Sequence, residues 1–270
     1  MGSFYTQRMV RPHSGKFILS FLVLTILCDV AVSQNAPRTV HVFVALADNV
    51  NQGIVPVPPR LGNGLDPARN LYWGAAAGVK TFFSGSADWS VVQCVQKPKP
   101  AVLERCIFKH KTATVYLVAD AYRGNEIRQA ILDFLDAASG ANREPIAVTG
   151  GLSISAYGAS NLVAYVGHDG LMDFRLPLIP RQKNPIHRDA IILACASKQY
   201  FSESLRTTGA QPLLWTTGLM APEAYTLKAA IDGWISRESA AQIHERAAAA
   251  YDKYQKCGMK AARHLFATGW

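Results

Sequence analysis

His168 and Cys195 are the residues of this chain whose types and placement invite chemistry. Each follows a short apolar run. Asn161–Val166 (NLVAYV) gives way to Gly167-His168-Asp169-Gly170, and Ala190–Ala194 (AIILA) gives way to Cys195-Ala196-Ser197. A thiol beside an imidazole can pass its proton across, and the resulting thiolate attacks a carbonyl carbon at neutral pH. The imidazolium then protonates the leaving group. Taken singly, a cysteine closing an apolar run is commonly a small buried hydrophobe, and a lone histidine has many uses. The pair, at the ends of successive runs, is what points to a nucleophile and its acid/base.

The elements that would hold this pair read as buried strands. Besides the two runs above, Thr39–Ala47 ends at Asp48, Thr114–Ala119 at Asp120 with Arg123 beyond, and Pro212–Trp215 at Thr216-Thr217. Runs of four to nine nearly continuous apolar residues suit strands covered on both faces. Helical spacing fills the gaps at 126–138, 222–235 and 239–256, the last opening on Ser-Ala-Ala-Gln, a capping-box spacing. Alternating strands and helices predict one α/β domain over 38–270, with a mostly parallel sheet sandwiched by helices. Residues 49–113 read as an irregular insertion: a Gly/Pro-rich loop or lid, a helix over 66–83, then edge strands or a hairpin around Lys97-Pro98-Lys99-Pro100. In open parallel sheets, ligands gather at the carboxyl ends of strands. Asp48, Asp120, Arg123 and Thr217 are therefore substrate-binding candidates. The plainer readings are turn or cap residues for the two aspartates and a surface residue starting a helix for Arg123.

A buried strand ending in His near a Gly, followed by a second ending in Ala-Cys, resembles the caspase–legumain–gingipain group of cysteine peptidases. The matching segments are Leu162–Gly170 (LVAYVGHDG) and Ala190–Ser197 (AIILACAS), and Gly209–Trp215 (GAQPLLW) is similar to the step after that cysteine. The likeness spans roughly 112–236 on short motifs. It implies a three-layer caspase-like architecture, a His168/Cys195 dyad and a peptide or protein substrate. The group usually places Gly directly after His, where its N–H helps bind the oxyanion. Here Asp169 intervenes and Gly170 comes one place late, so either Asp169 orients His168 in a differently built turn or the oxyanion hole is weakened.

Charge and cysteines bound the rest. The 270 residues carry 28 Lys+Arg, 19 Asp+Glu and five cysteines, for a net charge of +9. Met1–Ser33 has a basic start, the eleven-residue apolar run Phe17–Leu27 and small residues at Ala31 and Ser33, the pattern of a secretory signal peptide cut after Ser33. A retained anchor, or lipid attachment at Cys28, is the other reading; the run is shorter than the roughly 20 residues a spanning helix needs. Its removal takes three positive charges and one negative, leaving +7, with no stretch of interleaved basic and aromatic residues. Nucleic acid is accordingly not expected as a partner, nor is stable membrane insertion. In a secreted or periplasmic setting Cys94 and Cys106, twelve apart, could pair. No zinc-ligand spacing and no phosphate loop occurs, so neither metal nor cofactor is expected. The expected function is an exported cysteine-dependent hydrolase, with a non-catalytic caspase-fold module binding peptide or glycan as the alternative. An amidase or transferase acting on small molecules is a third.

Overall fold

A computed structural model describes residues 1–4, 9 and 37–270, so the expected signal segment and Cys28 lie almost entirely outside the described residues. Ten strands are described: β1 (Arg38–Ala45), β2 (Trp89–Lys99), β3 (Val102–His110), β4 (Val115–Tyr122), β5 (Arg143–Val148), β6 (Leu152–Tyr157), β7 (Leu162–Val166), β8 (Asp189–Leu193), β9 (Gln211–Thr216) and β10 (Phe266–Ala267). The helices are α1 (Val79–Ser84), α2 (Ile127–Ser139), α3 (Ser197–Thr208), α4 (Ala224–Ile235), α5 (Ala240–Gln255) and α6 (Met259–Leu265). Eight strands form one sheet in the order β10-β9-β8-β7-β1-β4-β3-β2, and β5 and β6 make a separate hairpin. The five strands from β9 to β4 run parallel, while β3, β2 and β10 are antiparallel additions at the edges.

The central strands are largely apolar because both faces are covered, with His41 and Asp120 among the buried polar exceptions. Every residue of β4 and β7 is buried. Along β1, Val40, Val42 and Val44 point to one face, where α1, α4 and α5 pack. Phe43 and Ala45 point to the other, under α2, α3 and the β5–β6 hairpin. Phe134 of α2 shows how that layer is locked, its ring 6.1 Å from Phe43 and 6.0 Å from Tyr165. Burying one such side chain contributes roughly 1.5–3 kcal/mol. The protein is thus an α/β fold whose large, mostly parallel sheet is flanked by helices. Among the described residues, no helix is long and apolar enough to cross a membrane.

The 49–113 region is more ordered than its composition suggests. Residues 89–110 form the β2–β3 hairpin that extends the main sheet through β3's pairing with β4. Cys94 and Cys106 face each other across it and are joined by a disulfide. A helix over 66–83 does not form; regular α-helix is confined to Val79–Ser84, and 66–78 winds as tight turns. The Asn70 amide replaces helical bonding there: its Oδ1 accepts from the Ala47 and Tyr72 N–H groups, and its Nδ2 donates to the Ala47 and Asn63 carbonyls. Gly74 is pressed so close to the Ala68 carbonyl that a Cβ would stand 2.2 Å from it. Glu104 of β3 ties the segment to the sheet, accepting from Trp73 Nε1 and Lys80 Nζ at 2.6 Å each.

Candidate functional site

β7 and β8 are hydrogen-bonded neighbours in parallel, so their carboxyl ends open side by side. The chain leaves β7 at Gly167, where φ is +153° and a Cβ would lie 2.9 Å from the Ala45 carbonyl oxygen. Only glycine allows this approach of the turn to β1. His168 follows, its carbonyl accepting from the Tyr165 hydroxyl at 2.7 Å and the Gly170 N–H at 3.1 Å. Its Nε2 lies 2.6 Å from Asp173 Oδ2. A carboxylate on that nitrogen makes it the N–H, which leaves Nδ1 as the acceptor. Asp173 also takes the Gly53 N–H at 3.3 Å, linking the histidine to the 49–57 loop.

Cys195 sits in a strained turn. Ala196, directly after it, has φ +47° and ψ +33°, the left-handed conformation that an L-residue adopts at roughly 1–2 kcal/mol. β9 holds the turn in place. The Ala196 N–H donates to the Gly218 carbonyl, the Ser197 N–H to Thr216 Oγ1 at 3.1 Å, and the Thr216 hydroxyl to the Ala194 carbonyl. The Ser197 hydroxyl closes the circuit on the Ile192 carbonyl at 2.8 Å. Strain of this kind, over-determined by its surroundings, presents a side chain at the top of a sheet in a fixed direction. The Cys195 sulfur meets the backbone of Met220, 3.4 Å from its N–H and 3.6 Å from its carbonyl oxygen.

His168 and Cys195 line one cleft of about 280 Å³, walled by the 53–57 loop, Leu71, Tyr72, Met172 and the 219–222 segment after β9. Four larger clefts, of 600, 550, 360 and 340 Å³, contain no cysteine, and of these only the 360 Å³ one has a histidine, His110. Several backbone N–H groups at or near the cleft, those of His168, Asp169 and Cys195 among them, have no acceptor among the described residues. The Gly170 N–H is engaged by the His168 carbonyl, so the oxyanion role expected of Gly170 does not fit the geometry. Gly170 has a packing role instead; a Cβ there would sit 2.7 Å from the Phe174 ring.

Asp169 is likewise not the group that orients His168. It is fully buried, with Oδ1 accepting from the Leu171 N–H at 3.0 Å and capping the short 3-10 turn Gly170–Met172. Its Oδ2 has no partner among the described residues. Burial pushes its carboxyl up to about 7, with the nearby Asp173 charge contributing in the same direction. The orienting carboxylate is Asp173. No periodicity marks it, and the loop alone brings it back onto the ring.

The four substrate-binding candidates fall elsewhere. Asp120 is fully buried in the sheet, where Arg105, His41 and Tyr157 surround it. Arg123 lines a separate cleft with Lys99, Glu126 and Asp133. Asp48 organises the loop after β1, accepting from the Val50 and Asn51 N–H groups and from Asn51 Nδ2. The Thr217 hydroxyl donates to the His264 carbonyl at 2.6 Å, fastening the C-terminal region to β9. Asp48, Asp120 and Thr217 hold partners away from the Cys195 cleft, and Arg123, whose Nε has no partner among the described residues, borders a different cleft. Of the remaining imidazoles, His187 is exposed and pairs with Asp189 at 3.0 Å.

No family model, curated protein or solved structure matches the chain. The chemistry must be read from the cleft.

Proposed function

We propose that the protein is a cysteine-dependent hydrolase of peptide bonds, with Cys195 as nucleophile, His168 as acid/base and Asp173 as the residue that positions the imidazole. The observation that carries this reading is the shared cleft. A thiol on a strained strand–helix turn and an imidazole whose outer nitrogen is fixed by a carboxylate converge on it from adjacent strands. Two buried strands ending in His and in Cys also support the likeness to the caspase–legumain–gingipain group, and with it a caspase-like architecture. An exported setting, secreted or periplasmic, is supported by the Cys94–Cys106 disulfide, since such bonds persist where the surroundings are oxidising.

The proposed reaction runs in two halves. His168 takes the Cys195 proton as the sulfur bonds to the peptide carbonyl carbon. The Cys195 N–H, with that of His168 or Asp169, is the proposed donor set for the oxygen that gains charge. The carbon–nitrogen bond then breaks, the amine leaving with the proton from His168. Water, deprotonated by the same imidazole, attacks the thioester; the acid departs and the thiol regains its proton. Cys195→Ala should abolish cleavage of a mixed peptide library without changing the far-ultraviolet spectrum. Cleavage that survives in this variant removes Cys195 from the mechanism. A wild-type protein that binds peptides in the cleft but never cleaves them would instead favour a binding module, a reading to which the Met220 contacts on the sulfur lend weight.

A further inference from the structure

The walls of the Cys195 cleft say what kind of residue it receives. Apart from Cys195 and His168, its one polar side chain is Tyr72, and no Asp, Glu, Lys or Arg lines it. Tyr72 is itself buried, and burial pushes its phenol up, so it stays neutral. The remaining side chains are Ile54, Val55, Val57, Leu71, Met172 and the Leu219–Pro222 strip. The strip matters most, because Met220 touches the sulfur through its backbone. In a thioester the acyl residue is the one bonded to sulfur, so its side chain is the part of a substrate that must lie against that strip. Leu219 and Val55, at the mouth, are 75% and 83% exposed, apolar surface waiting to be covered.

We infer that the protein, if it acts as proposed above, accepts a large apolar residue, of leucine or phenylalanine type, on the acyl side of the scissile bond. A charged side chain there would lose its water and find no counter-charge. The 280 Å³ of the cleft is roomy enough for one large side chain and would leave a small one loosely packed.

The test uses the intact protein and iodoacetamide, with Cys195 and the exposed Cys257 followed separately by peptide mapping. Tetrapeptide aldehydes ending in leucinal, phenylalaninal, aspartal or argininal compete for Cys195. The apolar aldehydes should protect it at concentrations roughly 30-fold or more below the charged ones. Leu219→Glu should move the ranking about fivefold toward argininal. Equal protection by all four, better protection by a charged aldehyde, or protection by none would overturn the inference. Failure of the peptidase reading shows differently: the alkylation rate without competitor would be the same in wild type and His168→Ala. The aldehyde ranking does not depend on that rate and is read in both proteins.

Discussion

Two of the histidine–aspartate pairs among the described residues, His41–Asp120 and His168–Asp173, are built for opposite ends; a third, His187–Asp189, has its histidine out in solvent. His41 and Asp120 are both fully buried, with Nε2 3.2 Å from Oδ2. His41 Nδ1 accepts from the Tyr157 N–H, so its other nitrogen donates to the carboxylate. Burial pushes the imidazole down and keeps it neutral against the pull of Asp120. Burial alone would raise the Asp120 carboxyl; the hydrogen bonds from Arg105 and His41 and the Arg105 charge outweigh it and hold the group well below the usual carboxylate range. Arg105 contributes two bonds, at 2.6 and 2.7 Å, and the Tyr157 hydroxyl a third contact at 3.1 Å. Both carboxylate oxygens are hydrogen-bonded, and neither His41 nor Asp120 is exposed. His168 and Asp173, by contrast, are 7% and 43% exposed, joined by one 2.6 Å contact, and border the cleft. A saturated pair stabilises; a pair with one nitrogen left over can move a proton.

The contrast can be broken most forcefully at Asp120. Asp120→Asn leaves Arg105 buried without its counter-charge and should cost about 3–5 kcal/mol in urea unfolding. The alkylation rate of Cys195 should stay unchanged while the variant remains folded. A loss below about 1 kcal/mol would mean that the closed pair is not a structural keystone. Its pH dependence has a definite sign. A carboxyl held low in the folded state contributes stability that is present above its unfolded value near 4 and lost as pH falls below it. Next in size is the β2–β3 disulfide, which closes a twelve-residue separation. Removing it with the Cys94→Ser/Cys106→Ser double substitution should lower stability by about 2–3 kcal/mol, measured by the same denaturation.

On the open side, Asp169 is the buried carboxylate beside His168. Its carboxyl is raised to about 7, so between pH 4 and 7 the folded state keeps a proton the unfolded chain has released. Stability from this group is full below pH 4 and falls as pH rises through 7. Asp169→Asn, neutral throughout, should flatten that decline and raise stability at pH 8 by about 1–3 kcal/mol. Unfolding curves at pH 4 and pH 8 that differ as much in the variant as in wild type would contradict this. The smallest effect on stability belongs to Asp173→Asn, within about 0.5 kcal/mol for a half-exposed side chain. The same change should slow Cys195 alkylation at least about tenfold, because the amide no longer fixes the ring's tautomer.

The strands were readable in the chain because burial on both faces leaves few polar residues to interrupt a run; β7, five residues long, wholly apolar and wholly buried, is the clearest case. The α2 helix was readable from Ile127, Ile131 and Phe134 at helical spacing. The α3 helix was not. Its buried side is Phe201 and Leu205 with Ser197, Ser204 and Thr208, too polar to register as an apolar face. The failure at 66–83 has a similar cause, since Ala and aromatic residues suggest a helix while Asn70 and Gly74 commit the backbone to turns. At the candidate site, His168 and Cys195 stood out because each follows a strand end. Asp173 did not, since a loop carboxylate five residues after a histidine carries no pattern until the chain folds back. Asp120 misled for the converse reason: it sits near a strand end in sequence, yet its side chain points into the helix-covered face.

If His168 activates Cys195, the rate of Cys195 alkylation by iodoacetamide at pH 7 depends on the imidazole. Wild type and His168→Ala are compared under identical conditions, with Cys257 as the internal reference in each digest. Activation predicts a fall of at least about tenfold at Cys195 in the variant and no change at Cys257. Equal rates at Cys195 in the two proteins would contradict it.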